Sequence, residues 1–451
     1  MIAPLCRKNG TNRKPGATMG MNWKPALAIA ALVLSGCGGG SDATKAQVRL
    51  VNASPNYTQL EWRVQDQVRQ GQVAYGGAEG YVEVDPGKAA STISSAGSAT
   101  PLLSFTPSLA EKKHYTLLAF GAAGALRQLQ LDENVGAPEA GRALLRVVHA
   151  AADAAALDIY LTASNDALTG AVAAQSGVSY GVAGTFTTLN SGTWRLRITA
   201  AGSKTDLRLD VQDLSFASKQ VSTLVLTPTV GGIMVNALML AQQGQIARLD
   251  TQQARVRLAA GVADSGVVGA TVGTTSLASA SAGGSVIASP SLDDYVLVPM
   301  GVSAVTATVN GNPLTLPAKT LLAGGDYTFM VHGAPDAAQA SWIDDDNRLP
   351  SDTSRAKLRL VNGLADSTAP LAMSLDGRPV AGAVAVGEAS PYSLVSPIAA
   401  GGTNGRLSIT ATGLAAPLVT TPSQTLAAGG SYSVFLLGRQ TAPTAIVRQD
   451  R

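Results

Sequence analysis

Apolar and polar residues alternate along most of the chain beyond residue 45, and this pattern predicts β-strands. The stretches 194–199, 207–211 and 406–410 each place an apolar side chain at every second position. Successive side chains of a strand point to opposite faces, so a period of two predicts strands that are buried on one face. Gly, Pro, Asn or Asp separates the stretches. The pattern contains no long amphipathic helix, and the Ala-rich piece 150–157 could form only a helical turn.

Three landmarks recur in the same order four times. The first is an arginine between aliphatic residues, found at Arg49, Arg146, Arg257 and Arg359. The second is an aromatic residue that opens an extended stretch, found at Tyr81, Phe186, Tyr295 and Tyr392. The third is an apolar strand that begins at Tyr115, Val221, Tyr327 and Tyr432, of which the copy at Val221 matches least well. We therefore predict four domains, repeats 1 to 4, at 46–138, 143–246, 254–348 and 355–451.

The repeats have the length and turn spacing of immunoglobulin-like domains. A repeat of about 100 residues with about seven short strands is typical of that fold. The composition agrees, since 46% of the residues are hydrophobic, 14% are charged, and Gly (48) and Pro (22) are plentiful. The sequence predicts four tandem immunoglobulin-like antiparallel β-sandwiches, each folding around a core of its own.

The N-terminal region resembles a bacterial lipoprotein signal peptide. An apolar run, 25–34, follows Lys24 and is too short to span a membrane, which takes about 20 residues. It leads into 34–37, Leu-Ser-Gly-Cys, which resembles a lipobox. We predict a signal peptide at 1–36, with Met19 or Met21 as alternative starts, and lipidation of Cys37.

The residues after Cys37 suit an anchored protein. Segment 37–45 has three glycines directly after Cys37 and is predicted to be a flexible tether. Gly38, rather than Asp, follows the cysteine, which resembles the outer-membrane sorting pattern. The predicted location is the cell envelope, at the outer membrane, and the predicted partners are the membrane through the lipid and an envelope glycan or protein.

Net charge gives no reason to expect nucleic acid. The formal charge is +3, but residues 1–36 hold five basic residues and no acid. The remainder carries 28 basic and 30 acidic residues. A surface of this balance lacks the positive field that attracts polyanions, so no nucleic-acid partner is predicted.

The opening of repeat 2, residues 145–161, resembles the signature of the bacterial domain-of-unknown-function family 4397. Members open with Arg-Val-Val-His/Asn-Ala, followed by an Asp or Asn and then Val-Asp-Val-Tyr. The resemblance extends over 46–451, although repeat 3 departs from it with Ala260 at the His/Asn position. It implies exported or lipidated β-domains with no assigned activity.

A polar loop feature follows the first strand of the repeats. Its members are Asn52, Asn56, His149, Asp153, Asp264, Asn362 and Asp366. One interpretation is a ligand or cation site at one end of each sandwich. The other is a clamp in which the side chains cap turn amides, a common use of Asn and Asp.

The recurrent arginines and one acidic run each allow two interpretations. The arginines could face solvent or a neighbouring strand, or they could pair with an acid across a domain junction. The run 344–347, Asp-Asp-Asp-Asn, could bind Ca²⁺ through its oxygens, or it could be a solvated linker.

The chain carries no motif that predicts an enzyme. The three histidines, His114, His149 and His332, lie at unrelated offsets, and the two cysteines are Cys6 and Cys37. No Gly-x-Ser-x-Gly elbow or phosphate-binding loop is present, and no catalytic residue, metal or cofactor is predicted. We predict a structural or binding module of the cell envelope. The alternatives are an extracytoplasmic enzyme or enzyme subunit, and a small-ligand binder in a groove between domains.

Overall fold

Strands account for almost all of the regular structure. The computed structural model describes residues 44–278, 284–302, 304–316, 319–401 and 403–451. The signal peptide and Cys37 therefore lie outside the described residues. The regular structure includes one short 3₁₀ helix, Ala152–Ala154, which lies in the Ala-rich piece. The prediction of a tandem all-β protein is confirmed.

Repeats 1 and 2 contain nineteen strands. Those of repeat 1 are β1 Ala46–Asn52, β2 Gln59–Val64, β3 Gln67–Ala74, β4 Val82–Val84, β5 Gly87–Lys88, β6 Ser91–Ser95, β7 Pro101–Phe105, β8 Ser108–Leu109, β9 His114–Phe120 and β10 Arg127–Asp132. Those of repeat 2 are β11 Arg142–His149, β12 Leu157–Thr162, β13 Gln175–Val178, β14 Thr187–Asn190, β15 Gly192–Ala200, β16 Leu207–Phe216, β17 Val221–Pro228, β18 Val235–Ala241 and β19 Ile246–Leu249. The last strand thus extends past residue 246.

The described residues of repeats 3 and 4 contain twenty strands. Those of repeat 3 are β20 Gln253–Val262, β21 Val267–Val272, β22 Thr275–Ser276, β23 Val286–Ala288, β24 Ser291–Leu292, β25 Val296–Pro299, β26 Gly301–Val302, β27 Val305–Val309, β28 Asn312–Pro313, β29 Thr320–Leu321, β30 Asp326–Gly333 and β31 Gln339–Asp345. Those of repeat 4 are β32 Ala356–Leu364, β33 Leu371–Leu375, β34 Arg378–Val384, β35 Ser393–Val395, β36 Leu407–Ala411, β37 Val419–Thr420, β38 Ser431–Arg439 and β39 Ala442–Gln449.

Each repeat forms two main sheets, and each sheet takes its strands from one repeat. We call the sheet that holds the first strand of a repeat its A sheet. The A sheets have the strand orders β10-β9-β1-β4, β14-β11-β17-β18-β19, β24-β20-β30-β31 with β25 also on β20, and β35-β32-β38-β39. The opposite B sheets are β3-β2-β6-β7, β13-β12-β15-β16, β22-β21-β27-β28 with β23 on β21, and β34-β33-β36-β37.

The centre of each A sheet differs from the predicted antiparallel arrangement. The first strand pairs in parallel with the strand of the third landmark, in the pairs β1/β9, β11/β17, β20/β30 and β32/β38. Parallel neighbours need a long crossover, and the B sheet supplies it in each repeat. The weak copy at Val221 occupies the same place as the other three, so four equivalent repeats are present in space.

Apolar clusters lie both inside the repeats and between them. Each repeat has its own core between its A and B sheets, as at Trp62 and Leu117 in repeat 1. Two further clusters lie outside these cores. One joins Val51 and Phe120 of repeat 1 to Val148 of repeat 2. The other joins repeats 3 and 4. The A sheets are therefore covered on both faces, and the described residues from 44 to 451 belong to one compact unit.

Candidate functional site

The first part of the predicted loop feature forms a clamp within repeats 1, 2 and 4, whereas repeat 3 has Ala260 at this position. The side chains of Asn52, His149 and Asn362 are fully buried at the end of the first strand. Each accepts a hydrogen bond from the amide two residues ahead: Ser54 N to Asn52 Oδ1 at 3.0 Å, Ala151 N to His149 Nδ1 at 3.2 Å, and Leu364 N to Asn362 Oδ1 at 3.2 Å. This is the geometry of a turn clamp.

The other polar atom of each clamp residue binds a backbone carbonyl. Asn52 Nδ2 donates to Tyr57 O at 2.8 Å, His149 Nε2 to Ala155 O at 2.5 Å, and Asn362 Nδ2 to Val384 O at 3.0 Å. Because Nδ1 accepts and Nε2 donates, His149 is held as a neutral imidazole, and burial lowers its pKa.

The remaining members of the loop feature lie near the surface or at contacts between repeats. Asn56 is exposed. Asp264 of repeat 3 and Asp366 of repeat 4 are brought together at Arg439, which lies 2.6 Å from Asp264 Oδ2 and 3.4 Å from Asp366 Oδ2. Asp153 of repeat 2 accepts a bond from Leu349 N at 2.7 Å. The seven residues are therefore not gathered into one site.

The recurrent arginines form the most regular polar arrangement in the structure. Each donates its Nε to a hydroxyl on the parallel neighbouring strand. The pairs are Arg49 to Thr116 at 2.9 Å, Arg146 to Thr223 at 2.7 Å, Arg257 to Thr328 at 2.8 Å, and Arg359 to Ser433 at 2.8 Å. We call these groups, with the aromatic and acidic residues that surround them, the arginine column. The hydroxyl residue is the second residue of the third landmark in repeats 1, 3 and 4 and the third residue in repeat 2. This recurrence of Thr or Ser is visible in the sequence, and our sequence analysis missed it.

The aromatic residue of the second landmark covers the guanidinium in each repeat. The guanidinium carbon lies 4.8 Å from the ring of Tyr81 in repeat 1, 4.8 Å from Phe186 in repeat 2, 4.6 Å from Tyr295 in repeat 3 and 4.7 Å from Tyr392 in repeat 4. Cation–π contacts of this kind are strongest where water is excluded. Burial raises the pKa of Tyr392 to about 12. All three landmarks of the sequence thus meet at one place in each repeat.

Between repeats 3 and 4 the arginines pair with acids of the opposite repeat. Arg257 binds Asp450, and Arg359 binds Asp345. Asp345 also accepts from Tyr295 Oη at 2.6 Å and lies 3.6 Å from Arg257 Nη2. The solvent-facing interpretation of these arginines is therefore wrong, because both are buried on the face opposite their own core, where a second sheet covers them. The alternative, pairing across a junction, is confirmed.

The charges of this junction compensate one another. Burial alone would raise the pKa of Asp345, but Arg359 and Arg257 outweigh burial and hold that pKa below its usual value. Burial likewise disfavours the charged form of Arg257, and its surroundings nevertheless raise its pKa. The charged forms of Asp345 and Arg257 are therefore both favoured by their surroundings.

Between repeats 1 and 2 the same arrangement uses fewer charges. Arg49 binds Glu133 of its own repeat at 2.9 Å and donates to Gly244 O of repeat 2 at 2.6 Å. Arg146 of repeat 2 donates to Asp132 O of repeat 1 at 3.2 Å. Burial lowers the pKa of Arg146, since a backbone carbonyl compensates its charge less than a carboxylate would.

Repeat 2 lacks both the acid and the tyrosine of the column. Thr116 lies opposite Leu131 in repeat 1, and Thr223 lies opposite Leu240 in repeat 2. Two positions further on, repeat 1 has Glu133 and repeat 2 has Gln242. The aromatic residue is Phe186, which has no hydroxyl to donate to a carboxylate. The two losses therefore occur together.

The acidic run 344–347 is paired with cations. Asp344 binds Lys319, and Asp346 Oδ1 lies 2.8 Å from Arg348 Nε. Asn347 Nδ2 donates to Asp326 Oδ2 at 2.8 Å. Within the described ranges, no group of three or more His, Cys, Asp or Glu side chains is placed to hold a metal ion. The run also reaches repeat 4, since Asp346 Oδ1 lies 3.5 Å from Lys357 Nζ and Asp345 binds Arg359.

The described part of the chain includes two shallow cavities of similar size. One, of about 510 Å³, lies between repeats 3 and 4 and is lined by Leu292, Asp293, Asp294 and Arg448 among others. The other, of about 500 Å³, lies along β13 of repeat 2. The described segments contain no helix suited to crossing a bilayer.

The fold defines this chain as a tandem β-sandwich protein whose A sheets are covered on both faces. The model of the family described as Domain of unknown function (DUF4397) matches residues 46–160. The match takes in repeat 1 together with β11, the 3₁₀ turn and most of β12. The predicted resemblance is confirmed for this part of the chain. No curated protein matches.

Two solved structures are distant neighbours. A protein of Bacteroides uniformis, described as a proposed cell adhesion protein, is 12% identical with a TM-score of 0.18, over 46% of this chain and 98% of that one. The Bacillus anthracis TIE protein is 8% identical with a TM-score of 0.14, over 90% of this chain and 68% of that one. Scores this low support no inference about function.

Proposed function

We propose that this chain is a lipid-anchored module of the cell envelope that serves as a structural or binding element and is not an enzyme. The observation that carries the proposal is the use of its buried charges. The buried charges pair across the junction of two sandwiches and so join them, as in Arg257 with Asp450 and Arg359 with Asp345. Buried ion pairs of this kind favour one geometry of the neighbouring sheets, as a rigid spacer or display element requires.

We further propose that all four repeats are copies of the family that matches residues 46–160. The arginine, its hydroxyl partner and the covering aromatic residue recur at equivalent positions in each repeat. The parallel central pair of the A sheet recurs with them. Partners would be an envelope glycan or another envelope protein, bound at exposed loops.

The anchoring half of the proposal rests on the sequence around Cys37. Changing Cys37→Ser should move the protein from the membrane fraction to the soluble envelope fraction and abolish labelling by a fatty-acid analogue. The control is Cys6→Ser, which removes the other cysteine of the chain and should leave both results unchanged. If the Cys37→Ser protein still sediments with salt-washed membranes, the anchor is wrong.

A second candidate function is binding of a small ligand between repeats 3 and 4. The cavity of about 510 Å³ there has a polar rim formed by Asp294 and Arg448, which pair with each other across the repeats. Calorimetric titration with sugars and amino acids against the wild type and Arg448→Ala distinguishes this candidate from a spacer. Heat of binding that is lost in the variant would favour it.

A further inference from the structure

We infer that the four repeats are assembled as two doublets, repeats 1–2 and repeats 3–4, and that the doublet is the unit that folds and unfolds cooperatively. The sequence alone predicts four sandwiches, each folding around a core of its own. The structure places a large part of the apolar surface of each A sheet outside that core. The inference concerns how the module is built and does not depend on its anchor or ligand.

Apolar contact between the A sheets is the first argument. In the second doublet, Ala259 and Met330 of repeat 3 pack with Val361, Phe435 and Leu437 of repeat 4, and all five are fully buried. The first doublet has a larger cluster, in which Phe120 and Leu131 of repeat 1 meet Val225, Leu238 and Leu240 of repeat 2, among others. A repeat that stood alone would expose these side chains to water, which is unfavourable in proportion to the apolar area.

Backbone packing is the second argument. Gly261 of β20 and Gly363 of β32 lie at the same position of their repeats and meet at the centre of the second junction. A Cβ on Gly261 would overlap the carbonyl oxygen of Gly363, and a Cβ on Gly363 would lie 2.5 Å from Leu437 and 2.8 Å from Met330 Sδ. The two first strands therefore approach as closely as their backbones allow. This approach requires glycine at position 261, where the overlap is with backbone, whereas the atoms nearest to Gly363 are the ends of flexible side chains.

The arginine column is the third argument, because it is completed only within a doublet. Asp450 of repeat 4 binds Arg257 of repeat 3, and Asp345 of repeat 3 binds Arg359 of repeat 4. In the first doublet, repeat 2 supplies the carbonyls of Gly244 and Ala241 to Arg49. These pairs make the facing sheets complementary in charge, which fixes which faces meet and in which register.

The contact between repeats 2 and 3 is of a different kind. It includes hydrogen bonds such as Gly231 N to Gly324 O at 2.9 Å and Asn347 N to Gly231 O at 3.1 Å, and a close approach in which a Cβ on Gly324 would lie 2.4 Å from Thr229 Cβ, but no shared apolar cluster. The six apolar clusters of the described residues comprise one in each repeat and one in each doublet. A polar contact can open while its groups bond to water instead. The doublets are thus separable where the repeats within a doublet are not.

Native-state hydrogen exchange of the full chain tests the inference. The variant is Ile409→Val, which removes one methyl group from β36 in the core of repeat 4, on the sheet that faces away from repeat 3. A substitution of this kind lowers stability enough to speed exchange roughly two- to tenfold. We expect equal acceleration in β38 of repeat 4 and in β30 of repeat 3, and no change in β9 or β17.

The matched control is Ile93→Val in β6, in the core of repeat 1. It should accelerate exchange in β9 and β17 equally and leave β30 and β38 unchanged. Acceleration confined to β38 in the Ile409→Val protein would overturn the inference in favour of four independent repeats. Acceleration of all four strands by either substitution would overturn it in favour of a single cooperative body.

Discussion

The carboxylate of Asp345 is the acid on which both arginines of the second doublet converge, so its replacement by Asn measures what the column contributes. Asn keeps the shape of the side chain but leaves Arg359 buried without an anion. Removing one partner of a buried ion pair typically costs about 3–5 kcal/mol. Because Arg257 keeps Asp450 as a partner, we expect the lower end, about 3 kcal/mol, which is roughly a hundredfold faster exchange in β30 and β38.

The neighbouring substitution Asp344→Asn is the control for this measurement. Asp344 lies on the same strand, but its side chain is 72% exposed and pairs with Lys319. Exposed pairs contribute about 0.2–1 kcal/mol, so its exchange rates should change little. If the two variants lose similar stability, the column is not what holds repeats 3 and 4 together. Adding Arg359→Met to Asp345→Asn should restore part of the loss, since the unpaired charge is then removed.

The pH dependence of the same residue gives a second readout. The pKa of Asp345 is held below its ordinary value of about 3.9. Its contribution to stability is therefore complete above about pH 4 and is lost as the pH falls through the lowered pKa. The Asp345→Asn protein should lack this part of the acid-induced loss. An acid limb identical to that of the wild type in urea unfolding would contradict the assignment.

Two further substitutions test other parts of the structure. Gly261→Ala should destabilise the second doublet by about 1–3 kcal/mol through overlap with the carbonyl of Gly363, whereas Gly382→Ala, which has open space around it, should be nearly neutral in the same thermal unfolding assay. His149→Asn should weaken the pH dependence of the free energy of unfolding of repeat 2 between about pH 6.5 and 5. Burial lowers the pKa of His149 in the folded protein, so the wild type loses stability as the pH falls below the unfolded pKa of about 6.5. Urea unfolding at pH 7 and pH 5 measures this, and an unchanged pH dependence would show that His149 is not held neutral.

Alternation of apolar and polar residues sufficed to predict the fold class because most strands of the B sheets are half-buried. The same pattern gave a wrong prediction for the central strands of the A sheets, which are buried on both faces. In β30 every residue from Asp326 to His332 is buried, and its apolar residues are not spaced by two. Runs of this type occur in strands that are covered on both faces. The continuous apolar stretches of the third landmark were therefore the signal for the doublets, and they were taken for ordinary sandwich strands.

The site could be predicted only in its parts. The arginine, the aromatic residue and the third strand were each recognised from recurrence, yet nothing in their spacing indicates that they meet. Their contact arises because the first and third landmark strands are parallel neighbours, as in β20 and β30, and long-range pairing of this kind leaves no local pattern. The acids Asp345 and Asp450 were hidden for another reason. They complete the column of a different repeat, so no comparison within one repeat reveals their role.

The shared A-sheet interface also constrains how such a chain can change in length. Gain or loss of one repeat would leave an apolar sheet face, a buried arginine and half of an ion-pair network without a complement, as for Phe435 and Arg359 if repeat 3 were deleted. Gain or loss of a doublet would disturb a contact of the kind seen between repeats 2 and 3, which has hydrogen bonds and close glycine packing but no shared apolar cluster. We therefore expect duplication and recombination in this architecture to add or remove repeats in pairs, with the doublet as the unit that is duplicated.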